Sequence, residues 1–213
     1  PAVLVGPESI GKSWTLHAIR HTYDPARPVP FVTEPVSSQI GGPDDYAGIE
    51  NRGDVLVYTT PPLTEATEVT GHIFVTLFAA SSAPDTDFTA KLVDVYPPSA
   101  DYPRGYALLI TDGIFRVRYR RGYDQPALVA PDEGAFEITI TPFATANLFA
   151  KGHRIRLDIS SSNFPKFDIN PNTGEPEGTS RRSRIATNSL HFGEATRIEL
   201  QRLPPDAAAL SPP

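Results

Sequence analysis

The sequence predicts an all-β chain: an antiparallel two-sheet sandwich of jelly-roll type with an irregular N-terminal arm. Three observations carry this. Short segments alternate apolar and polar residues with period two, as half-buried strands do. Proline is 23 of 213 residues, about twice ordinary usage, and its spacing leaves little room for long helices. No helical pattern separates the strand patterns, so parallel βαβ winding is not expected and two stacked antiparallel sheets must bury the apolar faces.

Taken in order, residues 1–53 are loop-rich and low in pattern, and read as an arm or linker lying on the sandwich. The sandwich is expected over residues 54–204. Its first half carries strand patterns at Val55–Thr59, Gly71–Ala80, Phe88–Tyr96, Ala107–Ile110 and Ile114–Tyr119. Thr111-Asp112-Gly113 between the last two has the chemistry of a hairpin turn. In the second half Phe136, Ile138 and Ile140 alternate strictly, followed by Ile155–Ile159, Ile185–Phe192 and the pair Ile198 and Leu200. Eight or nine strands result, and residues 205–213 form a Pro-rich tail.

Bulk composition narrows the function classes. A chain of 213 residues buries enough surface to fold without staples. A net charge of -6 lacks the positive field that nucleic acid or an anionic membrane selects, so neither partner is expected. Cysteine is absent, which removes disulfides, thiolate metal sites and a thiol nucleophile together. No apolar run approaches the roughly 20 residues of a spanning helix. Methionine is also absent, position 1 included, so the chain reads as a processed or excised piece.

Several motifs carry chemistry in principle. Gly6-Pro-Glu-Ser-Ile-Gly-Lys-Ser13 is a literal phosphate-binding loop string, whose backbone N–H groups would cradle phosphates if a helix followed. Barely ten residues, Trp14–Tyr23, are available for that helix, and no βα repeat supplies a nucleotide-binding sheet. Gly11-Lys-Ser-Trp-Thr15 approaches the nucleophile elbow of serine hydrolases but has Thr15 where the tight turn needs glycine. Five histidines, His17, His21, His72, His153 and His191, show no metal spacing, although His17 and His21 would share a face if helical. No residue set calls for a metal or cofactor. The acidic pairs Asp44-Asp45, Asp85 with Asp87, Asp132-Glu133 and Glu175 with Glu177 sit in turn-like sequence, where aspartate ordinarily satisfies backbone N–H groups. Arg116, Arg118 and Arg120 alternate with Phe115, Val117 and Tyr119, which would turn three guanidinium groups onto one sheet face. Such a stripe is either solvated or docks an acidic surface.

The most distinctive stretch is Gly152–Asn172, GHRIRLDISSSNFPKFDINPN, an alternating strand running into a polar, Pro-containing loop with two aromatics. With Tyr23–Pro30 (YDPARPVP), Asp54–Leu63 (DVLVYTTPPL), Glu68–Gly71, Ala83–Phe88 (APDTDF), Lys91–Tyr96 (KLVDVY) and Thr111–Tyr119 (TDGIFRVRY), it resembles in order the C-terminal domain of one enzyme family. That family is the X-Pro dipeptidyl-peptidase, cocaine esterase and glutaryl-acylase group of serine hydrolases. The resemblance implies a galactose-binding-like jelly roll that carries no catalytic residue and leans on a catalytic α/β-hydrolase domain, its partner. The family's nucleophile, acid and histidine belong to that other domain, so none is carried over to this chain. Self-association into a homo-oligomer stays open. The resemblance also singles out the loop Ser160–Asn170, whose Asn163, Phe164, Phe167 and Asp168, with Arg116 and Arg118, are candidates for a domain interface or pocket wall. The alternative for the loop is that it folds onto its own sandwich. A stand-alone ligand- or carbohydrate-binding module and a nucleotide binder through Gly6–Ser13 are the competing functions.

Overall fold

The computed structural model describes residues 2–5, 18–32, 45–191 and 196–202. Eleven strands appear among them: β1 (Ala2–Val5), β2 (Ala18–Tyr23), β3 (Leu56–Thr59), β4 (Thr67–Ser81), β5 (Asp87–Tyr96), β6 (Tyr106–Arg116), β7 (Phe136–Ile140), β8 (Thr145–Phe149), β9 (Arg154–Ser160), β10 (Ala186–His191) and β11 (Arg197–Arg202). They form two antiparallel sheets, the sandwich that the period-two patterning demands.

The larger sheet is organised by β4, a 15-residue strand. One of its edges pairs β11 along Val69–Thr76 and β10 along Phe78–Ser81; the other pairs β8 along Thr67–Gly71 and β7 along Val75–Ala79. β1 extends the sheet beyond β11 and β2 extends it beyond β10. The smaller sheet has the order β3-β9-β5-β6. Between the sheets lies one apolar core: Ile73, Val75 and Leu77 of β4 face Phe88, Ala90 and Leu92 of β5, closed by Phe136, Ile138 and Ile140, Ile155 and Ile159.

The outer face of the smaller sheet is covered as well. Val29, Tyr46, Ile49 and Val55 pack on Val93 and Ala107 as a second cluster, with a 3-10 turn at Tyr46–Asn51 in the middle. Asp45 caps that turn, accepting from Ala47 N at 2.9 Å, and the same oxygen accepts from Ala107 N at 3.0 Å, which fastens the cover to the start of β6. Residues Asp87 to Asp94 of β5 are consequently buried on both faces, so charged side chains there must find partners inside the protein.

Three expectations need correction. The arm expected over residues 1–53 is not irregular where it is described: β1 and β2 lie within it and pair into the larger sheet. The helix required after Gly6–Ser13 is replaced over Ala18–Tyr23 by strand, which also removes the helical pairing of His17 with His21; Gly6–Ser13 and His17 lie outside the described residues, as does the tail at 205–213. Finally, Thr111-Asp112-Gly113 is no hairpin. β6 runs straight through it, with a one-residue bulge at Ile110 where Thr111 opposes Leu92 and Leu109 opposes Val93.

Candidate functional site

The loop after β9 is built from its buried first residues. Ser160, Ser161, Ser162 and Asn163 are all within a few per cent of full burial, because each hydroxyl or amide has an internal partner. Ser160 Oγ lies 2.6 Å from Thr89 Oγ1, Ser161 Oγ accepts from Asn188 Nδ2 at 2.8 Å, and Ser162 Oγ accepts from Val29 N at 2.8 Å. Asn163 Nδ2 donates to Asp112 Oδ2 at 2.6 Å, and Lys166 Nζ forms an ion pair with the other oxygen of that carboxylate. Phe164 then adds a short parallel bridge beside Pro30: its N donates to Val29 O at 3.1 Å and its O accepts from Phe31 N at 2.7 Å.

Beneath the loop is a buried row of charges. Lys91 stands opposite Asp112 on one neighbouring strand and Asp158 on the other. Asp158 also holds Arg156 at 2.9 Å, and Arg156 reaches Glu50 at 3.1 Å and Tyr46 O at 2.9 Å. Burial pushes the Lys91 ammonium down to about 8, partly offset by the Asp158 and Asp112 carboxylates. Burial likewise pushes the Asp158 carboxyl up, opposed by Arg156.

The second half of the loop closes on the end of β6. Asn170 Nδ2 donates to both Asp85 Oδ2 (3.0 Å) and Asp87 Oδ1 (2.8 Å), while its own Oδ1 accepts from Asn172 N at 2.9 Å. Asn172 sits at φ 63°, a left-handed conformation that asparagine tolerates. Arg116 grips Asp87 through two parallel bonds of 2.9 and 3.0 Å and reaches Glu177 at 2.9 Å. Arg118 holds Asp85 at 2.7 Å, and Arg120 holds Glu133 at 2.7 Å. The arginine stripe is therefore spent inside the chain, neither solvated nor presented as one face: Val117–Tyr119 is a 3-10 turn that breaks the alternation. Burial pushes Asp87 up while Arg116 and Asn170 pull it down; Asp87 in turn holds the Arg116 guanidinium above its ordinary value.

The candidates from sequence thus separate. Asn163 and Arg118 are internal anchors. Arg116, Phe167 and Asp168 come together along one cleft of about 280 Å³ at the end of β6. Phe164, which does not line that cleft, is 44% exposed, and Phe143, unmarked in the sequence, is 68% exposed. Lys166 Nζ lies among three other rings, 5.0 Å from the Phe31 centroid, 5.6 Å from Phe143 and 5.8 Å from Phe167. Sequence reading also passed over Lys91, took Asp112 for a turn residue, and gave Asn170 no role beyond ending the loop. The signal for Lys91 was present: a lone lysine inside FTAKLVDV has no water to reach if both strand faces are covered. Among the described residues no three His, Asp or Glu side chains converge as a metal ion would need.

Known proteins share this architecture. The family described as the X-Pro dipeptidyl-peptidase C-terminal non-catalytic domain matches residues 15–201. This chain belongs to that family. The cocaine esterase of Rhodococcus sp. (strain MB1 Bresler) is 44% identical over 195 residues, spanning 88% of this chain and 32% of that protein. Among solved structures, an aminopeptidase from a marine sediment Thaumarchaeota archaeon superposes with a TM-score of 0.82 at 30% identity, covering 95% of this chain and 36% of that one. An α-amino acid ester hydrolase does so with a TM-score of 0.80 at 31% identity, covering 88% and 33%. The non-catalytic domain seen here thus spans about a third of the length of these relatives.

Proposed function

We propose that this domain serves as the non-catalytic C-terminal sandwich of a longer serine hydrolase acting on ester or amide bonds, packing against its catalytic α/β-hydrolase body and shaping the site from outside. The relatives support the reaction class, being named for cocaine ester, amino acid ester and aminopeptide cleavage. The observation that carries the packing role is the exposure of two large rings, Phe143 and Phe164. Exposed large rings mark contact surfaces on soluble proteins; Phe143 lies beside Lys166, which is fixed on the buried Asp112, and Phe164 is held by its backbone bonds to Val29 and Phe31.

The role separates into two measurements. The isolated chain, assayed against p-nitrophenyl butyrate and an X-Pro p-nitroanilide, shows no turnover; turnover that Ser13→Ala abolishes would overturn the assignment. In the longer polypeptide, Phe143→Asp with Phe164→Asp lowers the melting temperature and the hydrolase activity, while the same pair leaves the melting temperature of the isolated chain unchanged. Equal behaviour of the double variant and the parent in the longer polypeptide would remove Phe143 and Phe164 from the interface.

A further inference from the structure

The cleft at the end of β6 has a chemistry of its own. Ile114 contributes to an apolar lining, and four aromatic residues line it: Phe115, Tyr119, Tyr123 and Phe167. Tyr119 and Tyr123 lie side by side with centroids 5.2 Å apart and planes tilted by 37°, and Tyr123 is 80% exposed. The polar lining is anionic. Asp87, Asp168 and Glu177 face a single guanidinium, that of Arg116. Arg116 is already committed, its Nε and Nη2 to Asp87 and its Nη1 to Glu177. The Tyr119 hydroxyl donates to Glu177 at 3.0 Å, so this donor too is turned away from a ligand. Asp168 is exposed and has no ion pair among the described residues.

Aromatic faces, surplus carboxylate and engaged donors together select charge. An anion would meet carboxylates, and a sugar would find acceptors but few free donors for its ring oxygens. A cation meets both the negative faces of the rings and the carboxylates, which act in the same direction. About 280 Å³ is at the small end for a ligand site. We propose that this cleft binds a small organic cation, an alkylammonium group, between the Tyr119–Tyr123 wall and Phe167, with Asp168 and Glu177 as counter-charges. The site is independent of the hydrolase reading above, since every residue in it belongs to this chain. The ammonium can come from a free amine or from a lysine side chain of another polypeptide.

Titration of the isotopically labelled chain with benzyltrimethylammonium chloride, followed by amide chemical shifts, tests it. Saturable shifts are expected at residues 114–123 and 166–168, weakened about fivefold by Tyr123→Ala and about threefold by Asp168→Asn. Raising sodium chloride from 20 to 200 mM weakens binding further. Both substituted side chains are exposed, so the melting temperature stays that of the parent. A second arm uses N-acetyl-lysine methylamide: saturation by this probe alone keeps the cation site and assigns the ammonium to a protein side chain. The neutral isostere 3,3-dimethylbutan-1-ol is not expected to bind. Absence of saturable shifts with both cations, equal binding of the neutral alcohol, or binding indifferent to both substitutions each overturns the proposal.

Discussion

Lys91 on β5 stands in register opposite Asp112 on β6, and both side chains are buried. The arrangement looks like a stabilising ion pair, yet burial pushes the Lys91 ammonium down to about 8. Keeping it charged at neutral pH therefore costs about 3 kcal/mol relative to the unfolded chain, even after both carboxylates have contributed. Asp112 does not depend on it, because Asn163 and Lys166 already occupy its two oxygens.

An asymmetry between the two partners follows. Lys91→Met, which keeps the volume and removes the charge, should leave stability unchanged or raise it by about 1–3 kcal/mol. Asp112→Ala should cost about 3 kcal/mol, because it strands the Asn163 amide and Lys166 and leaves Lys91 with Asp158 alone. Urea denaturation midpoints decide it; a loss above about 2 kcal/mol in Lys91→Met would show the pair to be net favourable.

Gly113, which follows, is glycine because of what crosses over it. A Cβ there would stand 2.9 Å from Pro142 Cα, 3.0 Å from Pro142 N and 3.1 Å from Ile140 Cγ2. The chain approaching so closely is the corner between β7 and β8, which Thr111 Oγ1 also holds by donating to Phe143 O at 2.9 Å. Gly113→Ala should destabilise by about 1–3 kcal/mol through backbone displacement. It should also shift the amide resonances of Pro142's neighbours and Phe143. An unperturbed spectrum at 141–145 would refute the contact.

These two residues also show where sequence reading stopped. Asp112-Gly113 has the composition of a turn, but its aspartate anchors a distant loop and its glycine admits a distant backbone, and neither purpose is local. The bulge at Ile110 changes the phase of β6, so one strand read as two. β2 was invisible for a different reason: its buried face carries His21 and Tyr23 instead of aliphatic residues, which leaves no apolar period to detect. β8 buries only Phe149 and exposes Leu148, so its alternation points the wrong way. β7, by contrast, was plain, because Phe136, Ile138 and Ile140 all enter the core between polar neighbours. The loop at Ser160–Asn172 carries distinctive chemistry in the sequence, but most of its partners are distant in the chain, up to 147 residues away for Tyr23 and Asn170, and no local spacing encodes them.

Asn170 concentrates that long-range dependence in one amide. Its Nδ2 serves two buried carboxylates, its Oδ1 an amide, and its backbone O accepts from Tyr23 OH at 3.2 Å. Asn170→Ala leaves Asp85 and Asp87 held only from the arginine side and should cost about 2–3 kcal/mol. Asn170→Asp should cost more, since it places a third carboxylate against two. Stability ranking by thermal melt, parent above alanine above aspartate, checks it; an aspartate variant as stable as alanine would mean that the site takes up a proton.

His21 makes the fold sensitive to acid in a definite window. Burial pushes its imidazole from 6.5 down to about 4, with Ser161 Oγ 3.1 Å from Nε2. Between those values the unfolded chain binds a proton that the folded chain refuses, so the unfolded state gains as pH falls. Stability should therefore decline from about pH 6.5 to about pH 4 by roughly 3 kcal/mol on account of this one residue, and change no further through it below that. His21→Gln retains a hydrogen-bonding group toward Ser161 and cannot titrate. Its unfolding free energy, measured in urea at half-unit intervals from pH 7 to pH 4.5, should fall less steeply than the parent's, the two curves diverging progressively below about 6.5. The difference between the curves cancels the carboxylates common to both, so parallel profiles across that range would show that His21 is not held neutral by the fold.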